Sequence, residues 1–466
     1  MLLLVRLLSP TDYGSMTLAM TVLSFLGYFT AKSIFAHVLQ VRDEAAIDYH
    51  LHFAAGLVIN VTAFALTNVL ALVGAYWWTE RLPPLSPLLH VLSITFLMDV
   101  PAGLRGSMLA RQHNWARLRI LEAASALLGA LVAITLAYLG AGYYALAFSS
   151  IVAPLPFIID LFCLERFRPK VIWNYSHYKP SLLFGVNLGA TGLLNSARSL
   201  VESTLIARTL SLTELGLWNR ADGLANLLAA RATGALIAAL YPVVTRAEPR
   251  SPAFRRMAEL IFRSVCWGVI PVACFLWIDA RATIELVYGS QWTLAVPLLP
   301  GLAAAASAAA LGSAAYLLLL ANNEQRLCLR SDVVASITSV GISFVLIPFG
   351  LEVYIVGLVL HRLAVAIGLL AMLVAAHGIS LRAVAYAIVP GALASIVGAT
   401  VAHSASWFGL SDESWPAFLL RLVFFGVGSF AAFRVVFPVQ LGEILDYLPL
   451  GAIIKKILRL STINQG

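Results

Sequence analysis

Residues 3–14 read LLVRLLSPTDYG, and residues 205–216 read LIARTLSLTELG. At an offset of 202 the two strings match in register at Leu, Arg, Leu, Ser, Thr and Gly, with an acid opposite an acid (Asp12, Glu214). A second echo pairs Gly140-Ala-Gly-Tyr-Tyr with Gly350-Leu-Glu-Val-Tyr, at an offset of 210. In each case a charged loop and then an apolar stretch come before it. A repeat of this length marks a duplicated bundle rather than a short motif. Six apolar segments separate the two copies, and an even number returns the chain to the same direction. The halves are therefore parallel.

What the halves are made of follows from composition. Of 466 residues, 60% are hydrophobic and 12% charged, with a mean hydropathy of +0.88. A soluble domain has about 45–50% apolar and about 25% charged residues, and a core of this chain length could not hide the excess from water. A soluble enzyme, a coiled coil and a disordered chain are excluded. A transmembrane β-barrel alternates apolar and polar residues, whereas here the apolar runs are continuous. Helical spans of ~20 residues are expected near 14–36, 51–76, 86–104, 120–139, 142–163, 182–206, 216–243, 262–278, 292–320, 333–350, 353–376, 383–403 and 416–437. A turn is expected around Pro297 and Pro300 at the start of the ninth. The tail 441–460 is amphipathic and basic, suited to lying on the membrane surface. The fold class is thus all-α and polytopic, with thirteen spans.

Charge orients it. Of the 31 Lys and Arg residues, alternate loops put 20 on one side and five on the other, with six inside spans. By the positive-inside rule the twenty face the cytoplasm, as does the C-terminus. The net charge of +8 then reflects loops beside anionic lipid, and no nucleic-acid partner is expected. The cysteines (Cys163, Cys266, Cys274, Cys328) lack metal spacing and read as small hydrophobes. No metal site and no cofactor is expected.

The ten residues MLLLVRLLSP are too few to cross a bilayer, yet the second copy of the repeat is preceded by the full span 182–206. By the repeat, a first helix is missing before Met1, lost to a late start or a shortened chain, which would make fourteen helices. A natural thirteen-helix chain stays open. The expected organisation is an N-terminal bundle over 1–164, a basic linker over 165–181, a second bundle over 182–376, two additional spans over 377–440 and the tail over 441–466.

Three motifs carry a resemblance. They are R-x-L-[GS]-x-x-[DE]-[FYL]-G (Arg6–Gly14 and Arg208–Gly216), [DE]-x-x-L-I-[GA]-R-x-L (Glu202–Leu210), and Y-G-x-Q-W (Tyr288–Trp292). The chain resembles the bacterial polysaccharide biosynthesis proteins, the O-antigen and exopolysaccharide flippases of the multidrug/oligosaccharidyl-lipid/polysaccharide exporter superfamily. One departure is Glu202, where the family often has Asp. The resemblance implies two six-helix bundles related by pseudo-twofold symmetry plus two C-terminal helices. It implies transport of an undecaprenyl-diphosphate-type lipid-linked saccharide across the inner membrane by alternating access, through a cavity lined by family helices one, two, seven and eight. Polymerase and chain-length proteins are the partners it suggests, beside the bilayer itself.

Ionisable groups at membrane depth mark function unless they are paired. Lys32, Arg198 and Arg231 fall on family helices two, seven and eight, and together they suit a doubly charged diphosphate. Asn195, Arg198, Ser199 and Glu202 recur at i, i+3, i+4 and i+7, which is one helix face. The bland alternative is an Arg198–Glu202 ion pair at i, i+4. Four acids lie at depth: Asp99, Asp160, Glu202 and Asp222. Of these, Glu202 and Asp222 are the candidates for ion or proton coupling, and pairing with the in-span arginines is the alternative for all four. Arg421 and Arg434 sit near span ends, where they can snorkel. Arg362 reads as structural, pairing with Glu352 or a neighbouring acid. Trp77, Trp78, Trp173, Trp292, Trp407 and Trp415 read as an interfacial belt, and Pro101, Pro242, Pro271 and Pro348 as kink positions. Competing functions are a cation-coupled drug exporter of the same superfamily, a flippase for the peptidoglycan lipid precursor, and a membrane-embedded glycan polymerase or ligase. A drug exporter would favour acids in its cavity. An enzyme would need a base and a large outer loop, and the sequence offers no nucleophile motif, so no catalytic residue is assigned.

Overall fold

Backbone N–H and C=O groups find no water in hydrocarbon, so apolar runs of about twenty residues close their hydrogen bonds as helices. A computed structural model of the protein describes residues 2–28, 35, 38, 47–78, 85–170, 175–246, 248–379, 381–408 and 414–446, and the regular structure among them is helical throughout. The first helices are α1 (Leu2–Leu7), α2 (Pro10–Gly27), α3 (Tyr49–Trp78), α4 (Leu85–Arg111), α5 (Trp115–Tyr138), α6 (Tyr143–Val152) and α7 (Leu155–Ile159). The last of these runs into a π-turn, Asp160–Leu164. Then come α8 (Tyr175–Thr209), α9 (Leu212–Val244), α10 (Pro252–Ile278), α11 (Ala280–Val287), α12 (Leu298–Ala321), α13 (Gln325–Leu346) and α14 (Leu351–His377). The last described helices are α15 (Leu381–His403), α16 (Trp415–Val436) and α17 (Pro438–Leu445).

Each expected span overlaps a described helix, although most of 29–36 in the first span lies outside the described residues and 142–163 is built from α6, α7 and the π-turn. Ten described helices are long and apolar enough to cross a membrane, which makes this a multi-pass membrane protein. The other three expected spans are α2, α8 and α9, and the last two are diluted by polar residues, Asn195, Arg198 and Glu202 on α8 and Arg220, Asp222, Asn226 and Arg231 on α9. The connector before α12 contains a 3-10 turn over Ser290–Ala295, close to the expected one.

The chain forms two compact units, Met1–Gly216 and Leu217–Gly466. In the first, Phe35, Phe53, Val100, Leu104, Met108 and Leu161 form a core at the end of α4. Its helices are also joined by buried polar bonds: the Asn60 amide donates to the Phe96 carbonyl (2.7 Å) and the Asn68 amide to the Ser93 hydroxyl (2.9 Å). Interhelical hydrogen bonds of this kind hold helices together where lipid supplies no hydrophobic drive. In the second unit, Phe275, Ala282, Leu286, Ala402, Phe418 and Phe425 bind α10 and α11 to α15 and α16. Outward faces are apolar: Ile120, Leu127 and Leu131 on α5 are 67%, 65% and 63% exposed, a stripe that only lipid would cover without penalty.

Several sequence readings change. Trp292 is fully buried (0% exposed) and belongs to the core rather than an interfacial belt. Pro348 lies in a 3-10 turn after α13, not inside a helix, whereas Pro390 sits inside α15. Glu352 and Arg362 stand ten residues apart on α14, about 15 Å along the axis, so they do not pair.

Candidate functional site

The repeated motif builds one structure twice, and the two copies touch. In the first, Ser9 caps α2: its hydroxyl accepts from the Asp12 N–H (3.2 Å), and the Asp12 carboxylate accepts from the Ser9 N–H (3.0 Å). This reciprocal capping box explains why Ser and an acid recur three apart. In the second copy the Glu214 N–H donates to the Ser211 hydroxyl (3.0 Å). The second oxygen of Asp12 accepts from the Tyr143 N–H (3.0 Å), tying the start of α2 to the start of α6. Across the copies, the Thr11 and Thr213 hydroxyls share a hydrogen bond of 2.8 Å. A Cβ on Gly14 would fall 1.7 Å from the Leu212 carbonyl oxygen, and one on Gly216 would fall 1.8 Å from that of Pro10. The contact is reciprocal, backbone against backbone, and only glycine allows it. The motif's last conserved-in-register residue is thus glycine because two helices meet there.

From this junction α2 and α8 run antiparallel, with the Tyr28 ring at the far end of α2 lying on Gly192, where a Cβ would be 2.3 Å away. Beyond Gly192, α8 carries Asn195, Arg198, Ser199 and Glu202, which span an arc of about 100° at helical spacing. Asn195 is exposed, while Arg198, Ser199 and Glu202 are half-buried, and Asn195 and Glu202 are both engaged in contacts. The remaining predicted residues are not on this arc. Asp222 (half-buried and engaged) and Arg231 (exposed) lie on the part of α9 that belongs to the second unit. They stand nine residues apart, half a turn out of phase, so they face opposite sides of that helix. Lys32 lies outside the described residues.

A family model for polysaccharide biosynthesis proteins matches residues 3–297, well over half the chain. The chain belongs to the polysaccharide biosynthesis protein family. It is 25% identical over 308 residues to the succinoglycan biosynthesis transport protein ExoT of Rhizobium meliloti (strain 1021), covering 65% of this chain and 60% of that one. It is 20% identical over 312 residues to the lipopolysaccharide biosynthesis protein WzxC of Escherichia coli (strain K12), covering 64% and 61%. The chain thus spans about three fifths of the length of these curated relatives. Its fold is similar to that of the Lipid II flippase MurJ in an inward closed conformation (TM-score 0.74, 12% identity, 94% of this chain and 96% of that one). It is also similar to an inward-facing multidrug resistance MATE family transporter of the MOP superfamily (TM-score 0.60, 15% identity, 80% and 92%). The all-helical, multi-span fold expected from the sequence is the fold observed.

The third motif of this polysaccharide biosynthesis protein is structural. Tyr288 and the fully buried Trp292 lie with ring centroids 5.9 Å apart, Gly289 adopts φ +104°, and the Tyr288 hydroxyl donates to the Arg220 carbonyl (3.3 Å). Burial pushes the Tyr288 hydroxyl above its ordinary range, so it remains a donor. The sequence reading also missed a buried ion cluster. Arg105, counted there as a loop cation, is 1% exposed within α4 and pairs with Asp160, itself 2% exposed. Arg117 also binds Asp160 (2.7 Å), and Arg105 binds Glu165 (2.8 Å). The π-turn at 160–164 brings Asp160 into this position. So Asp160 is paired, but with cations from either side of the α4–α5 turn rather than with the in-span arginines. Arg421, read as snorkelling, binds Asp279 (3.1 Å) at the junction of α10 and α11. The signal for both is the same: an acid at a span end is itself an anchor for a cation of a neighbouring helix.

Proposed function

We propose that this protein is a flippase that carries a polyprenyl-diphosphate-linked oligosaccharide, the repeat unit of an O-antigen, exopolysaccharide or capsule, across the bacterial inner membrane by alternating access. The observation that carries the reading is the family match over residues 3–297, together with relatives named for succinoglycan transport and lipopolysaccharide biosynthesis. The C-terminus is cytoplasmic, on the strength of the 20-to-5 distribution of basic residues between loops.

The chemistry requires a cation for the headgroup. A diphosphate cannot enter hydrocarbon uncompensated, and Arg offers a planar fork to its oxygens. Arg198, Arg231 and Lys32 take that role, with Asn195 and Ser199 extending the polar face toward the first sugar. Glu202 and Asp222 are the acids that exchange an ion or proton during the cycle. The half-buried Arg198, Ser199 and Glu202 on one arc of α8 support the reading. The product side implies polymerase and chain-length proteins as partners.

The test uses a strain lacking this gene, complemented with wild type or with the triple variant K32A/R198A/R231A, scoring surface glycan and the lipid-linked repeat unit. Wild type restores the glycan, and the triple variant, present in membranes at normal amount, leaves the repeat unit inside. Rescue by both removes the cationic site. An unaffected glycan in the deletion strain removes the flippase reading.

A further inference from the structure

Three segments meet in the second unit: the first half of α10, the N-terminal turns of α15, and the end of α16 where the chain turns into α17. The α15 and α16 ends are ends of membrane spans, and α10 brings Arg256, Glu259 and Arg263 to the same level, so the meeting point lies toward the membrane–water interface. Two clefts open there. One, of about 220 Å³, is lined by Arg256, Met257, Glu259, Leu260, Arg263, Glu443 and Asp446. The other, of about 280 Å³, is lined by Glu259, Arg263, Trp267, Tyr386, Pro390, Phe437 and Gln440. They adjoin at Glu259 and Arg263, and the Arg263–Glu443 bond (2.7 Å) closes the boundary between them.

Two polar groups of residues that line the second cleft lack their usual partners. Trp267 is 8% exposed and stacks on Phe433 at 4.3 Å, and its indole N–H has no hydrogen-bond partner. An indole N–H can only donate, and a buried donor left unpaired is costly. Pro390 has no N–H to give the carbonyl of Tyr386 four residues back, so that carbonyl, on a helix that lines the cleft, lacks its usual helical donor. Arg263 is 18% exposed and spends one nitrogen on Glu443, leaving donors of its fork for the cleft. Glu259 supplies a carboxylate. The floor, formed by Trp267, Pro390 and Phe437, is apolar and aromatic.

We infer that this cleft is a binding site for a zwitterionic membrane phospholipid whose headgroup joins a phosphate to a primary ammonium. Donors and a cation (Trp267 N–H, Arg263) take the phosphate, acceptors and an anion (the Tyr386 carbonyl, Glu259) take the ammonium, and the apolar floor takes the first part of an acyl chain. The cleft is lined by one Arg and one Glu, and Arg263 already shares its charge with Glu443, so the site carries no excess positive charge for an anionic lipid and suits a zwitterion. A primary ammonium carries three N–H donors, whereas a quaternary one carries none. The site therefore distinguishes ethanolamine from choline. It depends on neither the transported substrate nor the orientation of the chain.

The test is native mass spectrometry of the full chain in detergent, offered equimolar phosphatidylethanolamine, phosphatidylcholine and phosphatidylglycerol with identical acyl chains. Wild type retains phosphatidylethanolamine about tenfold over phosphatidylcholine, the value of one or two charge-assisted hydrogen bonds. E259Q reduces that preference to near unity, because the carboxylate that reads the ammonium is gone. W267F keeps the ring stack and lowers retention of phosphatidylethanolamine about threefold to tenfold. Equal retention of the three lipids by wild type, or a preference for phosphatidylglycerol, overturns the inference without recourse to a variant. So does a preference that survives E259Q in protein with unchanged thermal unfolding.

Discussion

Replacing Gly14 with Ala tests whether the two motif copies hold each other as described. The new methyl would lie 1.7 Å from the Leu212 oxygen, against 3.4 Å for the inner limit of ordinary contact. The backbones must therefore separate by about 1.7 Å, and the neighbouring atom is a carbonyl that cannot rotate away. A separation of that size also stretches the 2.8 Å Thr11–Thr213 bond beyond hydrogen-bonding range. Overpacking costs about 1–3 kcal/mol and the lost hydrogen bond about 0.5–1.5 kcal/mol. Together, about 1.5–4.5 kcal/mol shifts the balance between touching and separated motifs by about 12- to 1,600-fold. The assay is disulfide formation in T11C/T213C, with the four native cysteines replaced and a protease site placed in the 165–170 segment, so that a cross-link holds the two fragments together on a gel. The parent cross-links rapidly in membranes. Adding G14A slows it at least tenfold, and G216A does the same, since its Cβ meets the Pro10 oxygen at 1.8 Å. Cross-linking at the parental rate in G14A would refute the reasoning, and an effect of one glycine without the other would refute the reciprocity.

Other perturbations follow from the ion pairs. D160N leaves Arg105, 1% exposed, without a full countercharge and lowers stability by about 3–5 kcal/mol. Thermal unfolding in detergent checks it, and the double change R105M/D160L restores most of the loss. A single variant as stable as wild type would show the cluster to be solvated. R421M and D279N each remove the same 3.1 Å bond and lower stability by about 1.5–3 kcal/mol, with the double variant no worse than either alone; additive losses contradict a direct pair. Y288F removes one long bond to the Arg220 carbonyl and costs about 1 kcal/mol or less, leaving glycan export intact, because the buried ring stays in place. Loss of export in Y288F would assign the hydroxyl a role beyond anchoring.

The helices were legible in advance because lipid leaves an apolar run no other way to satisfy its backbone. Their ends were less legible. Span 86–104 is read from apolar residues alone, but α4 continues to Arg111, since a paired charge is no reason to end a helix. The same cause hid the Arg105–Asp160 cluster: hydropathy counts a cation as solvent-seeking whether or not an acid 55 residues away waits for it. Trp292 misled similarly, because a Trp at a span end is interfacial or buried depending on what packs over it.

The sequence by itself determined the membrane class, the approximate positions of the spans, the internal repeat at offset 202 and the family. All of these depend on local composition and on matching strings. The three-dimensional structure decided that the repeated serines cap helices, that Gly14 and Gly216 recur because two backbones meet there, and which cation answers which acid. The last two depend on distances between residues some 40 to 200 positions apart, and no local pattern encodes such a distance.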